Sequence, residues 1–302
     1  MNMPYLQSLP KDRVRALFGL EPVALGQLLA ALLPPLVEKR HAQQEAKNGR
    51  KRAVGGGRRR KLLPYQEVLI TLVYLRHNVS HAVCGQMFSV SADISENSFH
   101  EVIQILRDVC PAHRFDAEKK WTKTEPSWHP DTLDLILVDS FETPICRPSL
   151  PEVQRKFYSG KKKRHTTKTQ IITDKRGEVL AIEPGYPGPL SDKKLYEQSQ
   201  AAGQYPRAAR RADLGYQGVP EMLLPHKKVR GKTGEKAQEL TPEQKEENRQ
   251  AASLRVPVEH GVRRVKAWRI LRDEYRLGQG LFPMIALATV GLVHLARLVT
   301  NP

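Results

Sequence analysis

Three acidic residues stand where chemistry can be sought. Asp139 follows the apolar run of "LDLILVDSFETP" (Leu133–Pro144). Asp213 lies in "ADLGYQG", where Gly215 reads as the supplier of unusual backbone angles. Glu259 lies early in "RVPVEHGVRRVKAWRIL", with Arg263 four residues on and Lys266 seven residues on. Burying an unpaired carboxylate is costly, so an acid at the end of a buried strand needs an account. One account is a turn or cap residue. The other is a ligand for a hard cation such as Mg²⁺, which takes carboxylates and keeps positions for water and phosphate oxygens. Two such ions about 4 Å apart steady the attacking and leaving oxygens of a phosphoryl transfer. A salt-bridge ladder explains Glu259 with Arg263, and a phosphate site explains Lys266 as well.

A mixed sheet is the element that would gather these acids. Leu133–Val138 reads as its first strand, ending at Asp139. Thr167–Asp174 and Glu178–Tyr186 read as antiparallel strands around the turn "DKRG". Pro206–Gly218 should hold a short strand ending near Asp213, and Glu221–Lys228 another. Helices are expected over Ser191–Ala202, capped by Ser191 or Asp192, and from Thr241, with Pro242 at the first helical position. A further helix is expected over Pro257–Leu271, with Trp268 in its apolar stripe.

Ahead of the sheet the pattern is helical. Glu21–Lys47 reads as a helix broken at Pro34–Pro35. Asn48–Leu62 is glycine-rich and carries Arg58, Arg59, Arg60 and Lys61, as a basic arm or a solvated linker. Three helices follow: Leu63–His77, then Ser80–Phe88 capped by Ser80, then Ser95–Val109 capped by Ser95. They form a helix-turn-helix or an ordinary three-helix unit; the link "SVSADI" is long for a tight turn. Pro111–Pro130 reads as a linker.

The bulk numbers narrow the partner. The 302 residues suffice for two modest domains or one large one, and 49 basic against 32 acidic residues leave a net charge of +17. Each cation that meets a phosphate releases counterions, so this excess favours a polyanion. Cys84, Cys110 and Cys146 lie far apart without a Cys-x-x-Cys pair, against a zinc ribbon or disulfide framework and in keeping with a reducing cytosol. Leu281–Val299 is long and apolar but contains His294 and Arg297, and reads as a buried packing helix with no membrane partner.

Five stretches, "VDSFETPICRP", "KFYSGKKKRHTTKTQIITD", "PGPLSDKKLYE", "ADLGYQG" and "VEHGVRRVKAWRIL", resemble bacterial insertion-sequence transposases of the DDE superfamily. The branch is insertion-sequence family five, whose motifs are shared with the Harbinger transposases. Together the stretches span Val138 to Leu271, and Leu63–Cys110 looks like the helix-turn-helix these proteins carry. The resemblance implies an α/β fold, a ribonuclease-H-like mixed sheet with flanking helices preceded by an all-α helix-turn-helix region. It divides the chain into N-terminal helices and basic arm (1–62), helix-turn-helix (63–110), linker (111–130) and catalytic domain (131–302). It places the catalytic, metal-holding triad on Asp139, Asp213 and Glu259, for two Mg²⁺ ions with Mn²⁺ as the alternative.

Arg255, Arg263 and Lys266 would then meet DNA, as would Lys161, Lys162, Lys163 and Arg164 beside the site and Arg58 to Lys61 in the arm. The partners implied are double-stranded DNA, as terminal inverted repeats and target, and a second copy of the chain, since two ends must be joined. The setting is the bacterial cytoplasm, at the nucleoid. Departures exist: Ser140 and Phe141 follow Asp139 where relatives commonly have Gly or Ala and then Thr, and Ala252 stands where a Tyr is often found. Asp192 matches a recurring acid and is read as a helix cap, with the place of the second metal ligand as its alternative. The rival functions are a catalytically silent DNA-binding repressor or architectural protein and a nuclease on the same fold.

Overall fold

The computed structural model describes residues 3–46, 60–228 and 239–300. Arg58 and Arg59 lie outside the described residues, as does most of the charged loop after Lys228. The chain opens with α1 (Met3–Ser8), α2 (Lys11–Phe18) and α3 (Pro22–Glu45). α3 runs unbroken through Pro34 and Pro35, against the expected break. Leu28, Leu32 and Leu36 recur at four-residue spacing on its buried side. Their burial on both sides of the prolines offsets the backbone donors that proline lacks.

The helix-turn-helix unit is α4 (Pro64–His77), α5 (His81–Phe88) and α6 (Ala92–Val109). Ser80 caps α5, its Oγ accepting from the Val83 N–H at 3.3 Å. α6 begins earlier than expected, because the cap is Ser91, whose Oγ accepts from the Ile94 N–H at 3.4 Å. Ser95 is buried inside the helix, 3.0 Å from the His81 ring. The link is therefore only Ser89–Ser91, with Ser89 in the left-handed region at φ 56°. Gly85 lets α5 close on it, since a Cβ there would stand 2.6 Å from the Val90 carbonyl oxygen.

The stretch expected as a linker contains α7 (Arg114–Thr122), whose Ala117 and Trp121 are buried. One hydrophobic cluster runs from Val68, Leu72, Phe99 and Leu106 through to Leu137 and Phe141. The helical unit and one face of the sheet thus share a core.

The sheet and its helices follow as β1 (Leu135–Pro144), α8 (Pro151–Phe157), β2 (Tyr158–Ser159), β3 (Arg164–Thr173), β4 (Val179–Pro187), α9 (Asp192–Gln198), β5 (Ala209–Arg211), β6 (Met222–Leu223), α10 (Pro242–Ser253), α11 (Val256–Lys266) and α12 (Phe282–Thr300). β1 pairs antiparallel with β3 and parallel with β5; β4 is antiparallel to β3 and β6 parallel to β5. This mixed order with packed helices is ribonuclease-H-like. β1 does not end at Asp139: its ladder with β3 continues to the Pro144–Thr166 pair. The strand expected over Glu221–Lys228 shrinks to Met222–Leu223, with Pro225, which cannot donate to a ladder, just beyond. The helix expected to Leu271 stops at Lys266, and Trp268 leaves it to be buried against Gly19.

α12 is the core helix, packed on α3, α6, α7 and β4. Among the described residues, Gln279–Val299 is the single unbroken helical stretch long and apolar enough to cross a membrane, and most of it is buried inside the fold. His294 stands 3.0 Å from the Ala112 carbonyl oxygen, and Arg297 donates to Glu178 at 2.5 Å.

Candidate active site

The parallel ladder explains why two acids meet. β1 and β5 pair over three residues, ending at Leu137 opposite Arg211. Asp139 and Asp213 each stand two residues beyond that last pair. Successive strand residues alternate faces, so Asp139 shares a face with core residues Leu137 and Phe141, toward α11, while Ser140 points to the other. Asp213 leaves the sheet and turns back: its Oδ1 accepts from the Gly215 N–H at 2.8 Å. Gly215 does not adopt a positive φ, which counts against the alternative reading of this stretch as a turn that needs one. It is needed for space, since a Cβ would stand 2.6 Å from Asp192 Oδ2 and 2.9 Å from Asp213 Oδ1.

Asp192 therefore belongs to this acid group. The cap of α9 is Ser191, which accepts from the Lys194 N–H, and Asp192 is the first helical residue. Its Oδ1 accepts from Ser140 Oγ at 2.5 Å and from Lys168 Nζ at 3.3 Å. Lys168 is a buried lysine in mid-β3 that also donates to the Leu190 carbonyl at 2.5 Å. Lys168 and the buried Tyr216 beside the acids are neighbours absent from the expected site, and Ser140, expected only as a departure in the motif, is a third. The available signal for Lys168 was a lysine between two threonines in a strand, "TKTQ".

Glu259 comes to the same cleft from α11. Two glycine contacts seat that helix: a Cβ on Gly177 would stand 2.2 Å from the Pro257 carbonyl oxygen, and one on Gly261 would stand 2.8 Å from Thr173. The cleft, of about 580 Å³, is lined by Asp139, Asp192, Asp213 and Glu259 and by Lys161, Lys162, Lys168, Arg263 and Lys266. Glu259 is exposed and 3.9 Å from Arg263. Lys266 Nζ lies 5.1 Å over the Phe141 ring and donates to the Glu142 carbonyl at 3.4 Å. Burial, then Lys162, lowers its pKa against the pull of Glu142 and Asp139.

Arg255 precedes α11 and lies 3.9 Å from Asp213, with its Nε buried and unbonded. Lys163 takes the left-handed turn position at φ 50°. Arg164 pairs with Glu274 at 3.1 Å instead of facing the acids. Arg60 is likewise committed, to Glu67 and Glu101 at 2.9 Å each, while Lys61 is exposed.

Burial pushes Asp139 up to about 6; Asp213 and Asp192 add to the rise, and the Ser140 N–H and Arg255 oppose it. A carboxylate raised by burial and by acidic neighbours belongs to a donor set short of positive charge. Their hard oxygens fit Mg²⁺ or Mn²⁺. Among the described residues no group of three or more His, Cys, Asp or Glu side chains is placed to hold a metal ion by itself. An open site is what Mg²⁺ uses, with one or two carboxylates completed by water and substrate phosphate.

The comparisons agree with this architecture. The family model of the DDE superfamily endonuclease matches residues 138–294, and that of the helix-turn-helix of DDE superfamily endonuclease matches residues 60–111. A protein of Microchaete diplosiphon, named as a transposase for insertion sequence element IS702, is 31% identical over 222 residues, 72% of this chain and 74% of its own. One of Streptomyces albus G, named as a transposase for insertion sequence element IS112, is 26% identical over 267 residues, 87% of each chain. No solved structure matches the chain. The chain belongs to the DDE superfamily of endonucleases, among the bacterial insertion-sequence transposases.

Proposed function

We propose that this transposase cuts DNA at the ends of its insertion sequence and joins the freed 3′-hydroxyl to target DNA in the cleft of Asp139, Asp192, Asp213 and Glu259. The observation that carries the reading is the placement of Asp139 and Asp213 two residues beyond the last β1–β5 pair, opening into a cleft walled by lysines. Asp139 and Asp213 would hold Mg²⁺ or Mn²⁺, with Glu259 on the facing rim. Such ions, when bound, neutralise phosphate charge and make water a better nucleophile.

The rest falls to the chain's own groups. Lys161, Lys162 and Lys266 orient the phosphodiester through its charge. Ser140 and Lys168 fix the Asp192 carboxylate, and Arg255 steadies Asp213. In the first step a water oxygen bonds to phosphorus and the bond to the 3′ oxygen breaks; that oxygen takes a proton and leaves as the 3′-hydroxyl. In the second the hydroxyl oxygen attacks a target phosphodiester and displaces its 3′ oxygen. Recognition of terminal inverted repeats by the α4–α6 unit, and a homodimer holding two ends, belong to the same reading.

The test is cleavage of a labelled duplex carrying the element's end, with Mg²⁺. Wild type should cut at the end and Asp139→Asn should not. Equal behaviour of the two would leave a DNA-binding protein without this chemistry.

A further inference from the structure

Phosphate contacts supply most of the affinity of a protein for duplex DNA and set its register. The exposed side of α6, the helix a helix-turn-helix would send into the groove, carries Asp93, Glu96 and Asp108. Its Arg107 is paired with Asp108 at 2.9 Å. The cations for a phosphate track must lie elsewhere.

They gather on the far side of α11. Lys11 and Arg15 of α2, Arg76 at the end of α4, and Arg264 of α11 and Arg297 of α12, both of which also pair with Glu178, line a second open cleft, of about 540 Å³, in whose lining Glu21 is the acid. Arg76 lies 5.8 Å over the Trp268 ring and donates to the Ala267 carbonyl at 2.7 Å. Gly19, at φ 74°, packs so close that a Cβ would stand 2.8 Å from the same ring. The wall is therefore fixed by packing. Burial, then the charges of Arg15 and Arg272, pushes the Arg76 guanidinium below its ordinary value, so these cations repel one another. Arg15 is 68% exposed, with Glu21 3.6 Å away.

α11 separates the two clefts. Arg264 and Ala267 line the basic one, while Glu259, Val262, Arg263 and Lys266 line the acidic one. The basic wall draws on α4 of the helix-turn-helix match and on α11 of the endonuclease match, with Arg297 just beyond that match. We propose that this cleft is a second DNA-backbone site, holding duplex phosphates that flank the strand engaged across α11. The proposal takes from the transposase reading only its partner, DNA, and requires no cutting.

The experiment is equilibrium binding of the full chain to a short duplex of arbitrary sequence, in chelator, over a range of salt. Each lost phosphate contact should flatten the slope of log affinity against log salt by about 0.9. Lys11→Gln/Arg15→Gln should thus flatten it by about 1.8 and weaken binding about tenfold at low salt. Both residues are exposed. Either single variant that keeps the wild-type melting temperature decides the question if the double variant does not. A wild-type slope and affinity in such a variant would overturn the proposal. So would inorganic phosphate displacing the duplex beyond its effect on ionic strength, which would mark a small-anion site. The two readings fail separately: Asp139→Asn that still cuts DNA breaks the functional proposal alone, and an unchanged salt slope breaks this one alone.

Discussion

Asp139 and Glu178 are two partly buried carboxylates on neighbouring parts of one sheet, and the fold treats them in opposite ways. Glu178 stands just before β4. Its oxygens accept from Arg297 at 2.5 and 3.2 Å, with Arg264 at 3.4 Å and Arg114 at 3.5 Å. Burial would raise its pKa, yet the Arg297 hydrogen bonds and the charges of Arg264, Arg297 and Arg114 hold it below the usual range. It ties α7, α11 and α12 to the sheet. Asp139 faces Asp213 and Asp192 and is pushed up. The difference teaches where to look for chemistry. A buried acid matched by arginines is structural, and one crowded by other acids keeps its charge for something that arrives.

Two substitutions should break that contrast in different assays. Asp139→Asn should lower strand cleavage by roughly 10³-fold, the loss of several kcal/mol of charge stabilisation at the phosphate. Its urea midpoint should be no lower than wild type, since a strained charge has gone. Glu178→Gln should do the reverse. It leaves three arginines without their acid and should cost about 2–4 kcal/mol of stability in urea titration. The cleavage rate of the fraction that remains folded should stay near wild type. If Glu178→Gln cut as poorly as Asp139→Asn while folded, the division between the two acids would fail.

The pH dependence sharpens the same contrast. The folded pKa of Asp139, about 6, lies above its ordinary 3.8. Between those values the folded chain keeps a proton that the unfolded chain has lost, so stability falls as pH rises, by about 3 kcal/mol in all. Glu178 has the opposite sign. Its contribution is present above the ordinary 4.5 and is lost as pH falls through its lower folded value. Urea midpoints in chelator should therefore show a decline from about pH 4 to 6 that Asp139→Asn removes. They should also show an acid-side loss that Glu178→Gln removes. Mg²⁺ binds the ionised carboxylate, so it should raise the midpoint above pH 6 in wild type and not in Asp139→Asn.

Much of this was legible along the chain, and the failures share one cause. An apolar run followed by Asp139, and a short strand near Asp213, can be read from local pattern. So can the cap at Ser80 and the turn "DKRG", where Asp174 Oδ1 accepts from the Arg176 and Glu178 N–H groups. What escaped was decided by partners distant in sequence. Ser91 and Ser95 are both good caps by type; the contact of Ser95 with His81 selects Ser91. Lys168 is an ordinary strand residue until Asp192 comes within 3.3 Å. Arg60 and Arg164 read as free cations, yet each faces an acid that only the fold supplies. The extension of β1 beyond Asp139 depends on a ten-residue β3 with which to pair.

The smallest effect tests how the acid cluster is held together. Ser140 follows Asp139 in β1, and its Oγ donates to Asp192 at 2.5 Å. Asp192 also keeps its bond from Lys168 and its packing against Gly215. Ser140→Ala thus removes one of several restraints on a partly exposed carboxylate. A hydrogen bond to a charged group contributes about 1.5–3 kcal/mol, and the surviving partners should reduce the net effect to about 1 kcal/mol. Cleavage should fall by roughly fivefold, with the urea midpoint near wild type. A loss as deep as that of Asp139→Asn would mean that Ser140 touches the reacting phosphate itself. No loss at all would mean that Lys168 alone positions Asp192, and Lys168→Met should then carry the whole effect.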